Sequence, residues 1–123
     1  MQEVLYDPPL QFEWTEPRDG RAVCLDLPQP PSGYQTDQAF FYKLKSGKVV
    51  GYFNRCSHIN VPMDFDDGHF LDQNGWIMCR LHGARYDLQT GEPVLGPAER
   101  GLTRVLLELE GTTLKILGWR KGW

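Results

Sequence analysis

Short runs of alternating apolar and polar residues, cut by Gly, Pro and Asn, fill most of this chain. Residues 21–27 (RAVCLDL) read as a strand, ended by Pro28, Pro30, Pro31, Ser32 and Gly33. Residues 38–44 (QAFFYKL) and 48–54 (KVVGYFN) read as two more, joined by a turn at Lys45, Ser46 and Gly47. Residues 69–72 and 75–78 form a second hairpin across Gln73 and Asn74, and 85–87 a short strand before the turn at Thr90 and Gly91. Residues 102–109 and 113–117 make a last hairpin through Glu110, Gly111 and Thr112. No window holds a helical period. The pattern therefore predicts a small antiparallel β protein of about eight strands.

Residues 1–20 are rich in Pro, Glu and Asp, with Leu5, Tyr6, Leu10, Phe12 and Trp14 interspersed. They read as an extended N-terminal arm whose large apolar residues pack on the body. The body is expected over 21–118, with 119–123 as a C-terminal tail.

Composition narrows the class. A chain of 123 residues, 41% hydrophobic and 24% charged, is one domain that buries about two thirds of its unfolded surface. It is not a wholly disordered chain. A net charge of −3 argues against nucleic-acid binding by bulk charge. No stretch approaches the ~18–20 apolar residues of a membrane span, and no membrane partner is expected. The first residues, with Glu3 and Asp7, lack the basic start and apolar run of a secretory signal. The expected location is the cytoplasm. Three Cys, an odd number without paired spacings, make a disulfide framework an unsuitable reading. The cysteines are buried, reactive or metal-bound. Cys24, between Val23 and Leu25 in an expected strand, reads as a small packing residue.

Two segments carry candidate chemistry: Cys56-Ser57-His58 and Cys79-Arg80-Leu81-His82. Each pairs a thiol with an imidazole, and each follows an expected strand. Two strand ends can bring two such loops together. Thiolates and imidazoles suit zinc, copper or an iron–sulfur centre. A zinc finger sets its two Cys together and its two His together on a helix; here each loop holds one of each and no helix is expected. A Cys56–His82 nucleophilic dyad is another reading, but it leaves the second Cys–His pair without a role.

The order C-x-H…C-x-x-H resembles the Rieske signature, in which two Cys hold one iron and two His the other iron of a [2Fe–2S] cluster. The resemblance continues through His82-Gly83, Tyr86-Asp87, Thr90-Gly91 and Gly96-Pro97, and covers roughly residues 21–118. It implies a fold of three small antiparallel sheets with two cluster-binding loops at the tip. It implies one [2Fe–2S] cluster per chain, with Cys56 and Cys79 on the inner iron and His58 and His82 on the outer iron, near the surface. It also implies that Gly83 lets backbone amides approach the cluster sulfurs, that Tyr86 hydrogen-bonds a cluster sulfur or ligand Cys, and that Pro97 shields one side.

The departures from the family's high-potential, respiratory members are informative. Their extra disulfide-forming Cys positions correspond to Val61 and Leu81, and the Ser two residues after the second His ligand is Ala84. Tyr86 matches. With one of two tuning hydroxyls kept, the potential is expected in the lower or middle part of the Rieske range of roughly −150 to +300 mV. Twenty residues, 59 to 78, separate His58 from Cys79, which lengthens the intervening hairpin. Asp64, Asp66, Asp67 and Asp72 follow the first loop, whereas Arg80 and Arg85 bracket the second. They suggest a dipolar rim that a docking partner could read, although such charges are more often a solvated face.

The resemblance implies a ferredoxin: a non-enzymatic one-electron carrier between a reductase and a terminal oxygenase or other redox enzyme. Two other readings stand beside it, a Rieske-like small subunit of a larger oxidoreductase of the nitrite reductase kind, and a non-redox zinc module. A catalytic oxygenase subunit is not expected, since nothing after Gly118 could house a mononuclear iron domain.

Overall fold

Residues 49–53 are buried throughout, and so are residues 39–42. Because side chains alternate across a strand, these two segments serve two cores at once. Phe40, Tyr42, Val50 and Tyr52 face one, with Met63, Phe70, Ile77, Tyr86 and both motif cysteines. Ala39, Phe41, Val49 and Phe53 face the other, with Tyr6, Trp14, Leu27, Leu114, Ile116 and Trp119.

The computed structural model describes residues 3–122 except 18, 58–60, 65, 66 and 98. Nine strands are described: β1 (Glu3–Glu13), β2 (Val23–Pro28), β3 (Thr36–Lys43), β4 (Val49–Phe53), β5 (Ile77–Met78), β6 (Arg85–Tyr86), β7 (Pro93–Leu95), β8 (Arg104–Glu110) and β9 (Thr113–Arg120). The described residues contain no helix, and none long and apolar enough to cross a membrane.

The all-β architecture is as expected, but the strands form two sheets rather than three. One is six-stranded, in the order β1-β9-β8-β4-β3-β2; the other is β5-β6-β7. The physical reason lies in the seam between β4 and β8. A single register pair, Tyr52 with Arg104, unites β2-β3-β4 with β8-β9-β1. The Phe53 amide, which donates to the Thr103 carbonyl at 3.1 Å, reinforces it. Without that seam the larger sheet would be two. Its far ends also meet: the Tyr6 hydroxyl donates to the Pro28 carbonyl at 2.7 Å, and the Trp119 indole to the Gln29 carbonyl at 2.8 Å.

Two boundaries differ from the sequence reading. The segment expected as an arm contains β1, which pairs with β9 from Glu3–Arg120 to Glu13–Thr113, with a break between Leu5 and Leu10. Pro8 and Pro9 sit in that break, where missing amide donors cost least. At the other end β9 runs through Trp119, which is buried, to Arg120. The expected 69–78 hairpin is present in reduced form. Its ladder is a Leu71–Ile77 bridge, supported by bonds from the Met78 amide to the Phe70 carbonyl and from the Asp72 amide to the Trp76 carbonyl.

The first core couples the small sheet to the large one. Phe40 of β3 stacks on Phe70 with centroids 3.9 Å apart and planes 8° from parallel. The Tyr52 hydroxyl donates to the Leu88 carbonyl at 2.7 Å. The Phe70 amide donates to the Tyr42 hydroxyl at 3.3 Å. Those contacts seat the loop-bearing sheet on β3 and β4.

Candidate metal centre

The first motif loop leaves the buried end of β4 through Asn54, itself 3% exposed. Its side-chain amide donates to Gln38 Oε1 at 2.8 Å and Asp64 Oδ1 at 2.9 Å, while its Oδ1 accepts the Met63 amide at 2.8 Å. A polar residue at that depth persists because every group finds a partner. The Cys56 amide then closes the loop by donating to the Val61 carbonyl at 2.8 Å.

The second loop joins β5 to β6 in a tight reversal. The Cys79 amide donates to the Ala84 carbonyl at 2.9 Å and the Gly83 amide to the Cys79 carbonyl at 2.8 Å. Gly83 has φ +78°, a conformation that favours glycine. Its own amide is spent on Cys79, whereas the amides that face the Cys79 thiol are those of Leu81 and His82. The Arg80 amide donates to the Met63 carbonyl at 2.9 Å and so ties the second loop to the first.

Cys56 and Cys79 are 1% and 0% exposed and neither forms a disulfide. Burial pushes the Cys79 thiol up; the Leu81 and His82 amides pull it back, and the adjoining Cys56 thiol raises it. The two thiols are therefore neighbours in a dry pocket that already offers amide donors. His82 is exposed. His58 lies outside the described residues, so the structure brings together three of the four expected ligand-bearing positions.

Tyr86 is fully buried, with its hydroxyl 3.5 Å from Cys56 Sγ and 2.9 Å from Ser57 Oγ. Burial pushes its phenol far above the ordinary range, and the Ser57 hydrogen bond only partly offsets this. Ser57 in turn donates to the Arg100 carbonyl at 2.6 Å. Pro97 is exposed, and Gly96 before it packs its backbone onto that of Gly83 and Ala84.

The expected dipolar rim is mostly neutralised within the chain. Arg80 pairs with Asp67, and Arg85 Nε meets Asp72 Oδ2 at 2.8 Å. Asp64 accepts from Asn54 and from the Gly68 amide. Asp66 lies outside the described residues. These charges brace the loops against each other, a role their spacing in sequence does not disclose. Asn54 and Met63 escaped sequence reasoning as well. The one available signal was an Asn ending a strand that is otherwise apolar.

Residues 22–107 match the family model of the Rieske [2Fe-2S] domain. This chain belongs to the Rieske [2Fe–2S] domain family. The Rieske chain is similar to the 3-phenylpropionate/cinnamic acid dioxygenase ferredoxin subunit of Shigella boydii serotype 4 (strain Sb227). The two are 33% identical over 70 residues, which are 57% of this chain and 63% of that protein. The same figures hold for the subunit of that name in Escherichia coli (strain K12). The match thus spans less than two thirds of those relatives' length. Among solved structures, the ferredoxin of carbazole 1,9a-dioxygenase from Nocardioides aromaticivorans IC177 superposes with a TM-score of 0.64 at 20% identity, covering 89% of this chain and 96% of that one. The cyanobacterial plasma membrane Rieske protein PetC3 from Synechocystis PCC 6803 gives 0.52 at 22% identity, over 76% and 84%. At those identities the likeness establishes the fold.

As a Rieske domain the chain binds a [2Fe–2S] cluster, and the described residues fit one. Among them, no three His, Cys, Asp or Glu gather as a site for a single ion. A Rieske cluster asks for something else: two thiolates at one iron and imidazoles at the other. A buried thiol pair, with the exposed His82 on the same loop as Cys79, meets the described part of that demand, and the phenol and amides supply hydrogen bonds to the sulfurs.

Proposed function

We propose that this Rieske chain is a one-electron carrier, a ferredoxin that takes electrons from a reductase and delivers them to an oxygenase or another redox enzyme. It holds one cluster, with Cys56 and Cys79 on the inner iron and His58 and His82 on the outer iron. The bound cluster supplies a single reversible electron. The chain supplies the rest. Its thiols lie in a dry pocket, the amides of Leu81 and His82 face one of them, and Tyr86 stands beside the other.

The observation that carries this reading is the contrast in burial: both cysteines are inside, and His82 is outside. An electron entering or leaving on the imidazole side has the short route to a docked partner. Gly83, Tyr86 and Pro97 support the ligands through loop shape, hydrogen bonding and cover. The likeness to dioxygenase ferredoxin subunits supports an oxygenase as acceptor. Cys24, Cys56 and Cys79 form no disulfide, which suits a reducing compartment such as the cytoplasm.

The test is to purify the protein away from air, record its visible spectrum and measure iron, acid-labile sulfide and zinc. Two irons and two sulfides per chain with a red-brown spectrum are expected, and His82→Ala should lose that spectrum. A colourless protein with stoichiometric zinc, unchanged by anaerobic iron–sulfur reconstitution, would mean a binding module instead. A normal spectrum in His82→Ala would remove that residue from the ligand set.

A further inference from the structure

Proton accounting around Ser57 leads beyond the ligand set. A serine hydroxyl has one proton, and a backbone carbonyl can only accept. Ser57 Oγ stands 2.6 Å from the Arg100 carbonyl, so its proton points there. The same oxygen lies 2.9 Å from the Tyr86 hydroxyl. With the Ser57 proton already placed, Ser57 must accept in that pair and Tyr86 must donate. Cys56 Sγ, 3.5 Å from the phenol oxygen, competes for that same single proton. The order is a relay: Tyr86 to Ser57, and Ser57 to Arg100.

We propose that Ser57 is a positioning residue which draws the Tyr86 hydroxyl proton away from Cys56 and thereby makes the reduction potential depend on where the Arg100 carbonyl sits. The inference rests on the reading of Cys56 as a thiolate ligand. A hydrogen bond to a ligand sulfur favours the more negative, reduced state and raises the potential. While Ser57 accepts the phenol proton, Cys56 receives only part of that help. If the Arg100 carbonyl moves off, the Ser57 hydroxyl can turn to donate to the phenol oxygen. The phenol proton then goes wholly to Cys56. Two hydroxyl rotations accomplish this, and no atom or electron is exchanged. Arg100 is itself exposed, so contact at that residue would be felt at the sulfur.

The experiment is redox titration of the loaded protein as wild type, Ser57→Ala, Tyr86→Phe, the double variant, and Ser57→Thr. Ser57→Ala should raise the potential, shifting the one-electron equilibrium about tenfold, or about 59 mV. Tyr86→Phe should lower the potential more in the Ser57→Ala background than in wild type. Ser57→Thr keeps the hydroxyl and should stay at the wild-type value. An unchanged or lower potential in Ser57→Ala, or equal effects of Tyr86→Phe in both backgrounds, would overturn the inference. If Ser57→Ala fails to hold a cluster, the other two singles decide. A wild-type value in Ser57→Thr with less than a tenfold shift in Tyr86→Phe supports it, and a larger shift in Tyr86→Phe overturns it. A wild-type protein lacking two irons and two sulfides overturns the ligand reading and this inference together. A loaded wild type with an unresponsive Ser57→Ala overturns the inference alone.

Discussion

The Arg80 amide donates to the Met63 carbonyl at 2.9 Å, and this bond makes one unit of two loops that arrive from different sheets. Met63 is fully buried and is held from its other side by Asn54, whose Oδ1 accepts the Met63 amide. The line from β4 through Asn54 and Met63 to Arg80 sets one thiol against the other. The spacing of the two thiols is therefore set by the fold, which lowers the ordering cost of binding a group between them.

Asn54→Ala should weaken that line. It strips a hydrogen bond from Gln38, Asp64 and the Met63 amide, all in or next to the buried interior. The expected cost is about 2–4 kcal/mol, since unsatisfied buried groups dominate such losses. The loaded variant should also bleach faster in air than wild type. Denaturant unfolding and the decay of visible absorbance measure the two effects. Wild-type values in both would show that the loops are held elsewhere.

Ala84→Ser should raise the reduction potential. Position 84 is fully buried beside the loop reversal that carries Cys79. Family resemblance places a tuning hydroxyl there. A serine hydroxyl in that pocket needs an acceptor, and cluster sulfur can provide one. Without the cluster the same hydroxyl is buried and unpaired, so the apo variant should be less stable than wild type by about 1–3 kcal/mol. Redox titration and apo-protein unfolding read the two halves. A lower potential would show that the hydroxyl does not reach sulfur.

The strands that sequence disclosed best are those whose alternation is local. Residues 38–44 and 48–54 with their Lys-Ser-Gly turn correspond to β3 and β4 almost residue for residue. β1 was hidden because Pro8 and Pro9 break its pattern and its partners in β9 lie 100 or more residues away. β7 was hidden because its three residues have meaning only against β6. At the site, the motif spacing pointed to Cys56, His58, Cys79 and His82, because metal ligation demands particular residue types close together; His58 lies outside the described residues. Asn54, Met63 and the Arg–Asp pairs act through juxtapositions that only folding creates.

Asp72 should make the loop braces sensitive to acid. Its side chain is 9% exposed, and it accepts from the amides of Asn74 and Trp76 and from Arg85. Burial pushes this carboxyl up, but those amides and the guanidinium outweigh it and hold the carboxyl below its ordinary range. A depressed folded value means stability that is present above the unfolded value of about 3.9 and is lost as pH falls through the folded value. Asp72→Asn should therefore cost about 1–3 kcal/mol at pH 7, and its deficit should shrink below about pH 4. Denaturant unfolding of both proteins at several pH values checks this. A deficit that stays constant with pH would mean that the charge of Asp72 contributes nothing.

Gly96→Ala should lift the segment before Pro97 off the second loop. Gly96 has φ +94°, and a Cβ there would stand 2.9 Å from Ala84 Cα and 3.0 Å from the Gly83 carbonyl oxygen. Both obstacles are backbone, so no side-chain rotation relieves them. Gly47 supplies the control, because its φ of +93° is nearly the same but nothing lies within 4 Å of its added Cβ. Both Ala variants carry a left-handed strain of about 1–2 kcal/mol. Only Gly96→Ala adds the displacement. It should lose more stability than Gly47→Ala, and its loaded form should bleach faster with chelator, whereas Gly47→Ala should bleach at the wild-type rate. Equal bleaching in the two variants would mean that the close approach of Gly96 to Ala84 does not protect the cluster.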